Sequence, residues 1–273
     1  MKCHEIKLPL KRNAKYAEIA VVCCLHFGHK SCDRPRAYKW RNWIMRGRNR
    51  FAISLGDSLE NVIPGDDKHN SMVWDSDMTP DEQFREAADY WRPLAEARKL
   101  LWDMDSNHNW RTEAKVGRSI GRELNVFLQG QYDGKSQKLT TPHPDKLPRW
   151  GGWQALNKLH VGKNEYIIHS WHGSGGGATP ESALRRCRSM AEQHNAQVFL
   201  MGHFHNRLFW QDNRMEFSAN GMNARECQRT FAVTGGYLGW HDTYAERAGL
   251  RPNRRGAIVL KLGARDWDVK VSM

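Results

Sequence analysis

The chain has 273 residues, 40% of them hydrophobic, so it can bury a sizeable core, and we expect a single domain spanning residues 1–273. Its 42 lysines and arginines exceed its 30 aspartates and glutamates, and the formal net charge of +12 is typical either of proteins that bind nucleic acid or of a solvated basic surface. No stretch has the length of a signal peptide core or a membrane span, and the six cysteines lack paired C-x-x-C spacing, which excludes a membrane protein and a disulfide scaffold and predicts a cytoplasmic protein.

Apolar runs that are typical of buried strands alternate along the chain with helix-like segments. The strand-like runs span 17–25, 51–55, 165–170, 196–201 and 257–262, and the helix-like segments span 35–46, 79–101 and 179–195. Two of the helices begin with Thr-Pro and then an acidic residue, which are the expected N-cap and first turn. Residues 210–240 are typical of antiparallel strands, whereas 130–152, rich in Gly, Pro, Lys and Thr, is typical of a surface loop. This order predicts an α/β fold with a mixed sheet and helices on its outside.

Residues that can bind metal follow five of the strand-like segments. These residues lie in Cys24-Leu25-His26, Gly56-Asp57, Asn107-His108-Asn109, the pair His169 and His172, and the pair His203 and His205. Each is weak evidence by itself, because Gly-Asp after a strand is usually a turn and His169 lies inside an apolar run, where a core histidine is more common. Together they exceed the ligands that one ion needs. They predict two divalent ions, Zn, Fe or Mn, which would act on a phosphate ester.

Motifs of competing chemistries are absent from the sequence. It contains no G-x-x-x-x-G-K-[ST], no G-x-G-x-x-G after the first strand, no H-E-x-x-H and no G-x-S-x-G. A cysteine protease would need a nucleophile such as Cys24, but a thiol within a donor cluster is better placed as a metal ligand. Strand alternation continued to residue 26 would put Cys24 and His26 on one face and Cys23 on the opposite face, in the core.

The order of these donors resembles the five motifs of the calcineurin-like metallophosphoesterase superfamily, D-x-H, G-D, G-N-H-[DE], H and G-H-x-H. They stand here as Cys24-Leu25-His26, Gly56-Asp57, Ser106-Asn107-His108-Asn109, His172-Gly173 and Gly202-His203-Phe204-His205. The glycine-rich segment 172–177 and the late TGGYLGWHDTYAERAG are similar to uncharacterised phage-type and prokaryotic members. The resemblance implies a four-layer α-β-β-α sandwich of two mixed β-sheets flanked by helices.

The resemblance also implies a role for each matched residue. Cys24, His26 and His205 would bind the first metal, Asp57 would bridge both metals, and Asn107, His172 and His203 would bind the second. A metal-activated hydroxide would attack phosphorus, while His108 protonates the leaving oxygen or stabilises its charge.

Other residues outside these motifs could contact the substrate, and the sequence is compatible with two roles for each of them. Arg111 is either a phosphate contact or a surface arginine. His241, with Tyr244, either lines the substrate pocket or holds its own loop together. The basic cluster 251–255 either touches a phosphate or faces solvent.

Two positions depart from the family pattern, because Cys24 stands where the family has aspartate and Asn109 stands where it has an acid. A thiolate ligand favours Zn or Fe over Mn, and a thiol that stays neutral would leave the first site weak or empty. Asn109 removes a carboxylate that could orient His108 or raise its pKa.

The resemblance and the charge together predict a metal-dependent phosphoric ester hydrolase, a phosphodiesterase or nuclease acting on DNA, RNA or nucleotides in the cytoplasm, or in the host cytoplasm if a phage encodes it. The sequence does not distinguish monoester from diester substrates, nor indicate an oligomeric state, and no membrane partner is expected. The alternative is a degenerate, one-metal or inactive member that serves as a nucleic-acid or protein binding module.

Overall fold

Two six-stranded sheets form the centre of the protein in a computed structural model that describes residues 1–62, 78–130, 143, 145–176, 179–217, 221–241, 244–247, 249 and 251–273. The strands of the first sheet are β1 (Lys2–Lys7), β6 (Gln154–Val161), β7 (Asn164–Trp171), β8 (Val198–Met201), β9 (Leu208–Phe217) and β10 (Ala224–Val233). The strands of the second are β2 (Tyr16–Val22), β3 (Arg50–Ser54), β4 (Leu100–Met104), β5 (Arg149–Gly152), β11 (Ile258–Gly263) and β12 (Val269–Ser272).

Both sheets are mixed. The first has the order β1-β6-β7-β8-β10-β9, in which β7, β8 and β10 run parallel and β9 returns antiparallel to β10. The second has the order β12-β11-β2-β3-β4-β5, in which β2 to β5 run parallel and β11 pairs antiparallel with β2. The predicted antiparallel strands within 210–240 are therefore confirmed as β9 and β10.

The helices cover the outer faces of the sheets. They are α1 (Arg34–Arg46), α2 (Pro80–Glu96), α3 (Asn107–Val116), α4 (Ile120–Leu128), α5 (Pro180–Ser189) and α6 (Tyr244–Arg247), with a 3-10 turn at Met190–Glu192. The predicted N-caps form as expected, since Thr79 accepts from the amide of Glu82 and Thr179 from that of Ser182. Apolar side chains of α1, α2 and α4 pack on the second sheet, and those of α5 pack on the first.

The main core lies between the two sheets. Ile19 and Ile53 of the second sheet belong to the same buried cluster as Leu159, Ile168 and Val198 of the first. Burying each such side chain stabilises the fold by roughly 1.5–3 kcal/mol. With helices outside both sheets, the four-layer α-β-β-α class is confirmed.

Several boundaries differ from the sequence prediction, including the helix predicted to residue 195, which ends at Ser189. The helix predicted over 79–101 ends at Glu96, because Arg98 takes a left-handed conformation (φ 55°) and the apolar run that follows enters the second sheet as β4. The region predicted as a loop over 130–152 contains β5, which pairs with β4, while 131–142 and 144 lie outside the described residues. No helix in the described ranges combines the length and apolarity needed to cross a membrane.

His169 on β7 is a core histidine, as its apolar surroundings indicated. It is fully buried, its Nε2 lies 3.1 Å from Oε1 of Gln154, and its Nδ1 has no hydrogen-bond partner among the described residues. Burial, with a smaller contribution from His194, lowers the pKa of His169 to about 4.

This burial predicts a loss of stability in mild acid. The unfolded chain, with a histidine pKa near 6.5, binds the proton more readily than the folded protein, so the free energy of unfolding should fall as pH drops from about 6.5 towards 4. This group contributes a slope of at most about 1.4 kcal/mol per pH unit. Denaturant titrations across this range should show a shallower slope for His169→Gln than for wild type. The exposed-site control His241→Gln should keep the wild-type slope, and equal slopes for all three proteins would contradict the prediction.

Candidate metal centre

The predicted donors follow the carboxyl ends of adjacent strands, on loops or, for Asn107 and His108, in the first turn of α3. Residues 24 and 26 follow β2, Asp57 follows β3, Asn107 and His108 follow β4, His172 follows β7, and His203 and His205 follow β8. Because β2, β3 and β4 run parallel in one sheet, and β7 and β8 in the other, their ends meet at one edge of the sandwich. The fold thus gathers donors that are almost 180 residues apart in sequence, such as the His26–His205 pair.

The backbone is strained at this edge. Positive φ angles occur at Cys24 (54°), His26 (53°), Asp57 (50°), His203 (65°) and His205 (54°), a conformation that costs a non-glycine residue roughly 1–2 kcal/mol. Such strain persists where the surrounding structure imposes it, and it is concentrated at functional sites. All five residues are predicted metal ligands.

This strain corrects the alternation argument for residues 22–26. The strand β2 ends at Val22, and the left-handed residues Cys24 and His26 break the two-residue period. Cys23 is not on an opposite face, because its Sγ lies 3.2 Å from Sγ of Cys24 and 3.6 Å from Nδ1 of His172. Cys23 packs in the core and also borders the donor cluster, so the sequence prediction for it was incomplete.

The first donor set consists of Cys24, His26 and His205, whose ligand atoms lie within 4.8 Å of one another. His26 places its Nδ1 2.8 Å from a carboxylate oxygen of Glu60, so Nδ1 carries the proton and Nε2 is left unprotonated. That Nε2 lies 3.3 Å from Nε2 of His205, and burial lowers the pKa of His205 well below its usual value. Nε2 of His26 can accept a hydrogen bond from Nε2 of His205 in this contact, and a divalent ion bound by both imidazoles would take the place of that proton, so this set suits a divalent ion.

Glycine makes this close approach possible. A Cβ at Gly236 would lie 2.8 Å from Cγ and Nδ1 of His205 and 3.1 Å from Cβ of Cys24. The segment that contains Gly236 is fixed to the first loop, because the amide of Tyr237 donates to the carbonyl of Cys24.

The second donor set consists of Asp57, His172 and His203, with Asn107 beside them. His172 donates through Nδ1 to the carbonyl of Leu55 at 2.6 Å, and its Nε2 lies 3.0 Å from Oδ2 of Asp57 and 2.9 Å from Oδ1 of Asn107. His203 donates through Nε2 to the carbonyl of Gly175 at 2.7 Å, which leaves Nδ1 unprotonated. Nε2 of His172, the oxygens of Asp57 and Asn107 and Nδ1 of His203 are all atoms that can bind a cation.

Asp57 and His172 shift each other's pKa in opposite directions. Burial opposes ionisation of His172, but the carboxylate of Asp57 outweighs burial and raises the pKa of His172 well above its usual value. Burial likewise opposes ionisation of Asp57, and the charges of His108, His172 and His26 lower its pKa well below the usual range. His172 and Asp57 therefore stabilise each other's charged forms across a 3.0 Å contact.

Asp57 is the residue that the two donor sets have in common. Its Oδ2 lies 3.0 Å from His172 in the second set and 3.9 Å from Nε2 of His26 in the first. Its Oδ1 accepts from the amide of His108 at 3.3 Å. A carboxylate in this position can bind ions of both sets, which is the bridging role that the resemblance implied.

His108 lies at the rim of the two sets. Its ring is 4.5 Å from that of His26 between centroids, and its Nε2 is 3.9 Å from Oδ2 of Asp57. Nδ1 donates to the carbonyl of Glu60 at 2.7 Å, and Nη2 of Arg111 lies 3.2 Å from Nε2. Burial lowers the pKa of His108 to about 4, against the opposing charges of Asp57 and Glu60.

Glu60 is a site residue that sequence reasoning missed. It is buried, pairs with His26, and receives Arg111 at 2.9 Å on its carbonyl and at 3.4 Å on its carboxylate. Burial alone would raise the pKa of Glu60, but His108 and His26 hold it well below the usual value. The sequence did contain one indication of this role. Glu60 is the single acidic residue among the five that follow Asp57.

The departure at position 109 has a structural explanation. Asn109 turns away from His108 and donates to Oδ1 of Asp105 at 3.0 Å. The carboxylate nearest to His108 Nδ1 is instead that of Glu60, at 3.5 Å. The loss of an acid at 109 therefore leaves His108 with a carboxylate neighbour.

His241 lies in a turn, exposed, with its ring edge-on to that of Trp240 at 5.4 Å between centroids. None of the contacts found among the described residues joins it to the donor sets, so its role in substrate binding remains a prediction. The side chain of Tyr244 lies outside the described part of the chain.

Comparisons with known proteins give similarity of structure only. No family profile matches the chain, and no curated protein matches its sequence. Among solved structures, the chain is similar to a conserved uncharacterized protein, a predicted phosphoesterase, from Streptococcus pneumoniae TIGR4, with 12% identity, a TM-score of 0.39, and coverage of 94% of this chain and 87% of that one. It is also similar to Vps29 from Chaetomium thermophilum, with 12% identity, a TM-score of 0.37, and coverage of 94% and 97%. The function is therefore inferred from the geometry of the donor sets.

Proposed function

We propose that this protein is a metal-dependent phosphoesterase that hydrolyses phosphodiesters in nucleic acid or nucleotides. The observation that carries the proposal is the position of Asp57 between two buried donor sets, with His108 and Arg111 at their rim. The net charge of +12 favours a polyanionic substrate.

The donors suit two divalent ions. Cys24, His26, Asp57 and His205 would hold one, and Asp57, Asn107, His172 and His203 would hold the other. The mixture of imidazole, carboxylate and a thiol favours Zn or Fe in the first position. The chemistry that such ions supply when bound is Lewis-acid chemistry, namely positive charge against the phosphate oxygens and activation of water.

The protein's own groups would position the substrate. Arg111 reaches from Glu60 to His108, so its guanidinium lies where a phosphate oxygen could replace Nε2 of His108 as acceptor. Nε2 of His108 would then face the leaving oxygen and, once it has taken a proton from solvent, would donate that proton to it, while the carbonyl of Glu60 keeps the ring oriented through Nδ1. Glu60 thus holds three groups, His26, His108 and Arg111, in one arrangement.

The test is hydrolysis of an aryl phosphodiester by purified protein loaded in turn with Zn, Fe and Mn. We expect turnover that requires metal, and a loss of about 10²–10⁴-fold in kcat for His108→Ala, as is typical of a group that assists proton transfer. His160→Ala, which changes a histidine at the end of β6, is the matched control and should keep wild-type turnover.

The competing function, a one-metal or inactive binding module, predicts a different outcome. Metal-loaded protein that hydrolyses neither aryl monoesters nor diesters with any of the three metals would exclude the proposed phosphoesterase. Hydrolysis of the diester, at a rate that depends on His108, would exclude the binding module.

A further inference from the structure

Arg207, two residues after His205, carries a positive charge that the described residues do not balance. Its Nε and Nη2 are buried and have no hydrogen-bond acceptor among those residues, and its Nη1 is 3.5 Å from the carbonyl of Arg255. A guanidinium stays protonated in proteins and has five N–H groups to satisfy. Buried donors without acceptors are rare, because each has given up its hydrogen bonds to water.

Further arginines surround Arg207. The charges of Arg254 and Arg36 act on it, and its carbonyl contact brings Arg255 close. Among the described residues, the carboxylate that forms ion pairs with these arginines is that of Asp33. It pairs with Arg36 at 3.0 Å and with Arg255 at 2.7 Å. The Arg207 cluster, defined as Arg36, Arg207, Arg254 and Arg255, therefore has four guanidinium groups for one carboxylate.

The chemistry of the cluster selects an anion. Uncompensated positive charge is costly unless an anion pairs with it, and guanidinium groups match the oxygens of phosphate with two parallel hydrogen bonds. The cluster is accessible from solvent on the side of Arg254, which is exposed, at the end of the exposed run 251–254. Three further arginines thus lie around Arg207, whose Nε and Nη2 are buried, and this arrangement suits a phosphate group.

The cluster lies next to the candidate metal centre. The stem of Arg207 packs on Gly235, where a Cβ would be 2.8 Å from its Cγ, and the next residue, Gly236, packs on His205 and Cys24. Consecutive Cα atoms are about 3.8 Å apart, so a single glycine pair separates the arginine cluster from the first donor set. The stem of Arg207 and the first donor set therefore pack on adjacent residues of one segment, which is the observation behind a polynucleotide that contacts both.

We propose that the Arg207 cluster binds a phosphate group, and that in a polynucleotide this group is a backbone phosphate close to the one that is hydrolysed. The second part rests on the proposed function. The first part is independent of it, because free inorganic phosphate has the same chemistry.

The test measures binding to metal-free protein, so that it does not depend on hydrolysis. A fluorescein-labelled oligothymidylate is titrated at several salt concentrations into wild type, Arg254→Gln, Arg207→Lys and the control Arg265→Gln. Arg265 is exposed and lies beyond β11, at the opposite end of the sandwich. In parallel, inorganic phosphate is added while the melting temperature of each protein is followed.

If the site takes a strand phosphate, Arg254→Gln should weaken oligonucleotide binding about tenfold, and the slope of log affinity against log salt should become shallower by about 0.7, the value for one phosphate contact on a single strand. If it takes only free phosphate, the anion should raise the melting temperature of wild type and Arg265→Gln but not of Arg207→Lys, with oligonucleotide binding equal in all four proteins. Either result supports the phosphate site and shows whether the bound phosphate belongs to a nucleic-acid strand or is free in solution.

The proposal is overturned if neither Arg254→Gln nor Arg207→Lys differs from wild type in either measurement, or if Arg265→Gln changes binding by the same amount. A failure of the proposed function gives a different pattern. In that case the cluster variants still lose oligonucleotide or phosphate binding, while metal-loaded wild type does not hydrolyse the aryl phosphodiester.

Discussion

Asp57→Asn should abolish hydrolysis of the aryl phosphodiester, with a fall in kcat/KM of about 10³-fold or more. The substitution keeps the shape of the side chain but removes the negative charge that both donor sets share, and that charge would hold the ions. Without it, His172 in the second set and His26 in the first lose their common carboxylate neighbour. Steady-state kinetics with each metal, together with elemental analysis of the purified variant, measures both effects, and we expect fewer than two ions per chain.

A buried acid outside the donor sets provides the matched control. Asp103 on β4 is also buried, and burial, opposed in part by a hydrogen bond from Ser54, raises the pKa of Asp103 to about 7. Because Asp103 is partly protonated near neutral pH, Asp103→Asn removes less charge and should keep both the ions and the activity. If Asp57→Asn retains two ions and wild-type turnover, Asp57 is not a bridging ligand. If Asp103→Asn loses activity to the same extent, the effect is one of general charge loss.

Cys24→Ala should remove the ion of the first donor set and leave about one ion per chain, whereas Cys23→Ala should leave both. The two sulfurs are 3.2 Å apart, but only Cys24 shares a donor set with His26 and His205. Burial and the neighbouring sulfur raise the pKa of Cys24 in the metal-free protein. Burial also raises the pKa of Cys23, but its hydrogen bonds with Cys24 and His172 and the charge of His172 outweigh burial and lower that pKa.

Elemental analysis of wild type, Cys24→Ala, Cys23→Ala and Cys24→Asp distinguishes the roles of the two thiols. Cys24→Asp should restore two ions and shift the first site towards Mn, because a carboxylate is a harder ligand than a thiolate. Cys23 also belongs to a donor group with Cys24 and His172. If Cys23→Ala loses an ion while Cys24→Ala keeps both, the ligand at the first site is Cys23.

Much of the site could be predicted from sequence because each donor is local to the end of one apolar strand. A strand buried on both faces reads as a continuous apolar run, and the polar residue that ends it is visible without knowledge of the fold. The residues Asp57, His172 and His205 were found in this way, and the structure brings all seven predicted metal ligands to one edge. The antiparallel hairpin of β9 and β10 and the N-cap at Thr79 were equally local.

Other features depend on contacts between distant segments, and single-sequence patterns do not contain them. Glu60 acts through His26, His108 and Arg111, so its importance appears only when α3 lies against the loop after β3. The strand β5 was missed because four residues with two glycines carry little strand signal, and pairing with β4 decides their conformation. The core position of Cys23 was predicted correctly, but its contact with the donor cluster was missed, because alternation holds only while the backbone stays extended and the left-handed turn at Cys24 ends that period.

The sequence by itself determined the order of the donors, the α/β class and the strong positive charge. These follow from residue type and spacing along the chain. The tertiary structure decided which donors face one another, which ring nitrogen of His26 and of His203 donates to a neighbour, and that Nε and Nη2 of Arg207 have no acceptor among the described residues. Those properties depend on where hydrogen-bond partners from other strands lie. A side chain's charge and its protonation are set by such partners, and only folding brings them within a few ångströms.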